Sequence, residues 1–300
     1  MSKRIAYFDC FSGASGDMLL AALLDAGLPL DDLRADLAQM PVQGYELKLE
    51  PARQHGITGS HFDVIDLGQE RPARNLSLIR KILAHTALPE PVLANALRVF
   101  TRLGQAEARV HGVGLDEIHF HEVGAIDALV DIVGFCSAIE RLGIAAVYAS
   151  ALPLGSGVVR TEHGLLPVPA PATLALLAEV GAPVLSDEAR GELVTPTGAA
   201  LLSTLATFER PAMRVQQVGY GFGTKEFPWP NMVRVWIGEE IENAPRGPRA
   251  LAEHAHAHGH THAEGEHTHG HEHPHEHGHD HSHGHEHPHT HEHEHGHSHE

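Results

Sequence analysis

The sequence predicts an α/β (or α+β) protein, a mixed sheet flanked by helices, followed by a disordered histidine-rich tail. Three observations carry that prediction. The chain opens as strand, glycine-rich loop and apolar helix; a strand–helix–strand order recurs over 117–154; and the composition changes abruptly after Pro245. Three hundred residues leave room for a core that needs no disulfide staples. Cys10 and Cys136 are too few for a disulfide scaffold and read as reduced thiols. With no cationic-then-apolar opening segment and no apolar run near the roughly 20 residues that span a bilayer, a cytoplasmic protein is expected, with no membrane partner.

Each element has its own signal. Residues 3–8 read as a strand, and the loop Ser12-Gly13-Ala14-Ser15-Gly16 leads into a helix over 18–26 that Gly27 and Pro29 stop. Leu30, Leu33 and Leu37 mark a helix over 30–39. Strict alternation over 45–49 marks a half-buried strand, with 57–67 as its partner across a longer loop. Helices follow over 76–86 and 91–104, the second with Val92, Leu93, Ala96, Leu97, Phe100 and Leu103 on one stripe. Arg98, Arg102, Glu107 and Arg109 fall outside that stripe and read as a solvated flank. Then come a short extended piece at 117–121, a helix over 123–142 and a strand over 146–154. Helices at 169–180 and 198–208 and strands at 213–219 and 232–237 complete a body of residues 1–243, with a small subdomain around 44–110. The pattern does not give the order of the strands.

Charge divides the chain. The first 250 residues carry 29 acids against 21 bases, and the last fifty carry 10 acids with no Lys or Arg. That balance lacks the cationic footprint of a nucleic-acid binder. The last fifty residues also hold 22 of the 29 histidines, and beyond Leu251 there is no large apolar residue from which a core could form. Neutral imidazoles such as His256, His258, His260, His271 and His273 are ligands for Ni²⁺, Cu²⁺, Zn²⁺ and Co²⁺, so the tail (244–300) reads as metal storage or delivery. Proton buffering is the alternative.

Several clusters in the body could carry chemistry. In Asp9-Cys10-Phe11-Ser12-Gly13-Ala14-Ser15-Gly16-Asp17-Met18 the glycines let backbone approach an anion, and Asp9 and Asp17 could hold a cation or position a proton. Alternatively, Ser15 or Asp17 only caps the helix. In His119-Phe120-His121-Glu122-Val123-Gly124-Ala125-Ile126-Asp127, His119 and His121 point the same way from an extended backbone with Phe120 turned into the core. Asp127 and Asp131 share a helix face beyond them. This mixed set suits a divalent ion or acid–base work, or else is a hydrogen-bonded histidine pair beside solvated acids. Arg160-Thr161-Glu162-His163-Gly164, running into a proline-fixed loop and helix, presents His163 and Glu162. Thr195 and Thr197 stand at a helix start, where a hydroxyl caps or holds a phosphate. Gly219-Tyr220-Gly221-Phe222-Gly223-Thr224-Lys225 and Arg234 bring close backbone and two cations that could meet anionic groups, or form a glycine-rich turn with solvated charges. Together the clusters suggest a cleft for a phosphorylated small molecule beside a metal.

These segments, with Glu192-Leu193-Val194-Thr195-Pro196-Thr197-Gly198-Ala199, stand in the order of the LarC family of nickel-insertion proteins, which the first 237 or so residues resemble. The resemblance implies insertion of Ni²⁺ into pyridinium-3,5-bisthiocarboxylic acid mononucleotide, giving the nickel-pincer cofactor of lactate racemase, with CTP and Mg²⁺ or Mn²⁺ required. It casts Asp9, His119, His121, Asp127 and His163 as nickel ligands and His121, Glu122 or Asp17 as the group that takes the expelled ring proton. Ser12, Gly13, Ser15, Gly16, Thr195, Thr197, Lys225 and Arg234 would hold the mononucleotide. The expected partners are the substrate, an apo-racemase, a second copy of the chain, and the C-terminal half found in family members, which is associated with CTP. This chain ends at Glu300, still among the histidines, so alone it is expected to lack the nucleotide-dependent step. A non-enzymatic nickel chaperone and a metal-dependent hydrolase built on His119 and His121 are the competing readings.

Overall fold

Strand β1 (Arg4–Asp9) is apolar on both faces because both are covered. Ala6 and Phe8 enter the main core, while Ile5 and Tyr7 join Tyr148 and Trp236 on the opposite side of the sheet. The computed structural model describes residues 2–68, 74–120, 126–161, 163–187 and 189–242, with Arg74 and His119 described by backbone alone.

After β1 come α1 (Gly16–Asp25), α2 (Leu30–Leu37), and the strands β2 (Tyr45–Gln54), β3 (Ile57–Asp66) and β4 (Arg74–Asn75). Helices α3 (Leu76–Ala84) and α4 (Glu90–His111) lead to β5 (His119–Phe120) and α5 (Ile126–Arg141). Short strands follow: β6 (Ala146–Ala149), β7 (Leu152–Pro153), β8 (Gly155–Ser156), β9 (Val158–Thr161) and β10 (Gly164–Pro167). Helix α6 (Pro171–Glu179), β11 (Val184–Leu185), β12 (Gly191–Glu192), α7 (Pro196–Leu205) and β13 (Ala206–Thr207) precede the long strands β14 (Met213–Phe222) and β15 (Met232–Glu240).

Seven strands form one sheet in the order β13-β6-β1-β15-β14-β3-β2. It is mixed: β1 runs parallel to β6 and antiparallel to β15, β14 is antiparallel to β15 and parallel to β3, and β2–β3 is an antiparallel hairpin. Helix α1 lies directly on β14, β3 and β15, α5 packs on α1, and α4 packs on α5, α6 and α7. The sequences account for the layering. Helix α1 is buried almost all round, as is α5 from Ile126 to Ala138, so both are interior helices. Helix α4 buries one stripe, Val92, Ala96, Val99, Phe100 and Leu103, and stops at Gly112, which takes the left-handed conformation (φ 67°) that a helix C-terminus favours.

Several boundaries differ from the sequence pattern, each for a local reason. The β2–β3 loop is the two-residue turn His55-Gly56 rather than a longer one. The predicted strand over 146–154 divides into β6 and β7, which join different sheets, and the helix predicted to 208 stops at Leu205, where Ala206–Thr207 become the edge strand. The proline-bracketed loop around His163 is a hairpin, β9 against β10. The alternating glycines are not a turn. Gly219 and Gly221 lie within β14, and a Cβ on either would collide with the backbone of α1 at Ala22 or Met18, so they are what lets helix and sheet approach.

Candidate functional site

Two loops far apart in sequence are joined through their backbones. Ala14 N–H donates to Leu193 O (2.9 Å), Thr195 N–H donates to Ala14 O (3.1 Å), and Ala14 forms a parallel bridge with Val194. A Cβ on Gly13 would strike Leu193, and one on Gly198 would strike Ala14. The small residues of both loops therefore serve this join, which fixes the start of α1 beside the start of α7. Thr195 takes the capping role, its hydroxyl oxygen accepting from Gly198 N–H (3.2 Å).

At that junction stand two acids. Asp131, on α5, is buried, and its carboxylate lies against Gly16, where an added Cβ would come within 2.8 Å of Asp131 Cβ and Thr197 Cγ2. Asp131 Oδ1 has no hydrogen-bond partner among the described residues. Burial first, then the charges of Asp17, Asp127 and Asp63, push its pKa well above the ordinary carboxylate value. Asp17, in the first turn of α1, is also raised by burial, against the opposing pull of hydrogen bonds from Ser15 and Met18 N–H and the charge of His61. The Ser15 side chain thus serves Asp17 and makes no capping bond to the helix backbone. His61 is held on β3 by a ring-nitrogen contact to Phe222 O (2.9 Å). Asp127 lies exposed at the start of α5, accepting from Ala128 N–H (2.8 Å).

The structure separates other residues that the sequence grouped. Asp9 does not converge with Asp17. It pairs with Arg234 of β15 on the face of the sheet that carries Tyr7 and Trp236, away from α1, because the pleat sends Asp9 the same way as Ile5 and Tyr7. Lys225 Nζ donates to Glu192 O (2.6 Å). Ser12 is buried, accepting from Trp229 Nε1 (3.1 Å) and donating to Asn231 Oδ1 (3.5 Å). These groups brace loops in this structure. Phe120 is buried as expected, and β5 pairs with β4 through Asn75↔His119. His121, Glu122 and Glu162 lie outside the described residues, as do the tail histidines His256, His258, His260, His271 and His273.

The remaining candidate, His163, opens on a cavity of about 490 Å³ between the end of α4, the β9–β10 hairpin and the starts of α6 and α7. Glu107, His111, Arg160, His163 and Glu192 contribute the charged or titratable part of its lining, and Val110, Val159, Leu166 and Ala170 the apolar part. His163 sits at the hairpin tip, its backbone N–H donating to Thr161 Oγ1 (3.1 Å), while Thr161 Oγ1 donates to Gly164 O (3.2 Å). Its ring faces that of His111 with centroids 4.7 Å apart. Among the described residues, no three His, Cys, Asp or Glu side chains already stand in a metal-holding group. Pro196 lines the cavity and Thr197 touches the Gly16–Asp131 contact, so one turn of α7 separates the cavity from the buried acids.

Sequence reasoning missed His111, His61 and the isolation of Asp131. For His111 a signal existed: Glu107 and His111 are four residues apart on one helix, a spacing that places both side chains on one face.

The family model described as nickel insertion protein matches residues 6–280. This chain belongs to that family. A family relative from Roseiflexus castenholzii is 51% identical over 245 residues, covering 81% of this chain and 62% of the relative. One from Thermomicrobium roseum is 53% identical over 237 residues, covering 79% of this chain and 58% of the relative. A pyridinium-3,5-bisthiocarboxylic acid mononucleotide nickel insertion protein from Desulfitobacterium hafniense is 48% identical over 238 residues, again covering 79% and 58%. The chain therefore spans about three-fifths of the length of these nickel-insertion relatives. No solved structure matches it. Among the described residues no helix is long and apolar enough to cross a membrane.

Proposed function

We propose that this chain binds pyridinium-3,5-bisthiocarboxylic acid mononucleotide and Ni²⁺ and takes part in their joining. The observation that carries this reading is a mononucleotide-sized cavity, lined by imidazoles, carboxylates and Arg160, in a chain of the nickel insertion family. In the reaction a ring C–H bond breaks, its electron pair becomes the carbon–nickel bond, the two thiocarboxylate sulfurs complete the pincer, and the ring proton must go to a base. A carboxylate with a raised pKa is a stronger base than an ordinary one, which favours Asp17 or Asp131, one turn of α7 from the cavity, alongside His121 and Glu122. Arg160 supplies a planar guanidinium suited to the substrate phosphate.

The finer points belong to the same proposal. Residues 1–243 form the working body and 244–300 a histidine-rich reservoir that raises local nickel concentration. CTP with Mg²⁺ or Mn²⁺ enters through the C-terminal region that the longer relatives possess, and the finished cofactor passes to an apo-lactate racemase. The test incubates the full chain with the mononucleotide, Ni²⁺ and Mg-CTP, with and without the C-terminal region of a longer relative. Mass spectrometry then looks for substrate carrying one nickel and lacking one proton. Such product in the complemented reaction supports the proposal. Its absence in both, with substrate bound by neither mixture, overturns it.

A further inference from the structure

We propose that Glu107, His111 and His163 form a site for a borderline divalent cation at the mouth of the 490 Å³ cavity, from which the ion is passed inward. The site stands on geometry; the choice of Ni²⁺ as its ion and the transfer inward rest on the insertion reading.

Glu107 and His111 occupy the last two turns of α4, on one face, and His111 Nε2 stands 3.6 Å from Glu107 Oε2. Ligands bound at about 2.1 Å to one ion stand roughly 3.0 Å apart in an octahedral site and roughly 3.4 Å apart in a tetrahedral one, so a small inward movement brings these two donors to coordinating separation. The second imidazole comes from a different element. The His163 ring lies 4.7 Å from that of His111, and Thr161 fixes the hairpin tip that carries it. Two imidazoles and a carboxylate are the donor set of Ni²⁺, Zn²⁺ and Co²⁺ rather than of Mg²⁺ or Ca²⁺. The end of α4 adds the negative pole of a 22-residue helix, which favours a cation there.

The composition of the site suits transfer rather than storage. Three protein donors leave coordination positions open, and all three side chains line the cavity. The Glu107 side chain is 16% exposed and that of His111 29% exposed, shielded but reachable from solvent. An ion held by three ligands and facing a substrate with two soft sulfurs can exchange protein ligands for sulfur stepwise, without release into water.

The tail histidines would mask this site in any measurement of total nickel, so the test must resolve single residues. The full chain is titrated with NiCl₂ and pulsed with diethyl pyrocarbonate, and modification of each histidine is read by peptide mass spectrometry. His111 and His163 are expected to be protected together, with one midpoint. In His163→Ala the midpoint for His111 rises at least tenfold, and in Glu107→Gln it rises by a smaller factor; His163→Asn serves as a second variant should the alanine disturb the hairpin. Nickel-edge anomalous diffraction from the wild-type chain is expected to show a peak among the three side chains. Unchanged reactivity of His111 and His163 at Ni²⁺ levels that protect the tail overturns the proposal, as does a His111 midpoint indifferent to His163. Either result can occur with nickelated substrate still formed, so failure here is distinct from failure of the insertion reading.

Discussion

Two buried aspartates meet helix α5, and they are treated in opposite ways. Asp36, on α2, receives Arg141 Nε (2.5 Å) and Nη2 (2.7 Å) together with the Ser137 hydroxyl. Asp131, less than two turns earlier on α5 than Ser137, keeps one oxygen with no partner among the described residues and faces three other carboxylates electrostatically. Hydrogen bonding from Arg141 pulls the Asp36 pKa below its ordinary value, whereas burial drives that of Asp131 upward. One helix thus carries a satisfied charge that fastens α2 and an unsatisfied acid beside the cavity wall. Burial alone does not separate structural acids from functional candidates; partnering does.

The contrast can be broken most forcefully at Asp36. Asp36→Ala leaves Arg141 without its partner and is expected to cost about 2 kcal/mol in urea unfolding, reduced from the full buried-pair value because the Arg141 side chain is 37% exposed. The wild-type contribution of Asp36 is present above pH about 3.8 and is lost as pH falls through its lower folded pKa, so the gap between variant and wild type closes in acid. Gly16→Ala drives a methyl into Asp131 and Thr197 and is expected to lower stability by roughly 2 kcal/mol, read as a fall in melting temperature. Asp131→Asn works in the other direction. Because its folded pKa is raised, the wild-type acid costs stability as pH climbs above about 3.8, and the amide removes that cost. The variant is expected to gain on the order of 1 kcal/mol at neutral pH and nothing below pH 3.8, the opposite pH trend to Asp36→Ala. Ser15→Ala has the smallest effect, roughly 0.5 kcal/mol, and raises the Asp17 pKa further in an NMR carboxyl titration.

Much of the sheet was legible because alternation and stop signals are local. The strands β1, β2, β3 and β15 and the helices α1, α2, α3 and α5 follow apolar periodicities that need no knowledge of their neighbours. Helix α4 runs on from the expected Gly104 to His111, and its expected solvated flank is partly covered, Arg102 meeting Ser203 O and Glu179 and the Glu107 side chain only 16% exposed. What escaped depends on contacts across the molecule. The extension of β14 through Gly219 and Gly221 is explained only by the backbone of α1 lying against it, and a glycine run read alone looks like a turn. The same limit applies at the site. Asp9 and Asp17 look paired in the sequence, yet the pleat turns Asp9 to the face of the sheet away from α1, the helix that carries Asp17. His111 and His163, 52 residues apart, share no local pattern and meet only through the hairpin.

Strand β15 links the two halves of the sheet, β1 on one side and β14 on the other, with Arg4 opposite Glu239 and Phe222 opposite Met232. Protein synthesis delivers that keystone last among the described strands. Until residues 232–240 leave the ribosome, β1 and β14 each expose a raw edge, and the platform under α1 is incomplete. The seven-stranded sheet can therefore close under α1 only once residues 232–240 have been made. Nascent chains of this protein should rely on protection of the β1 edge from edge-to-edge association until residues 232–240 have been made.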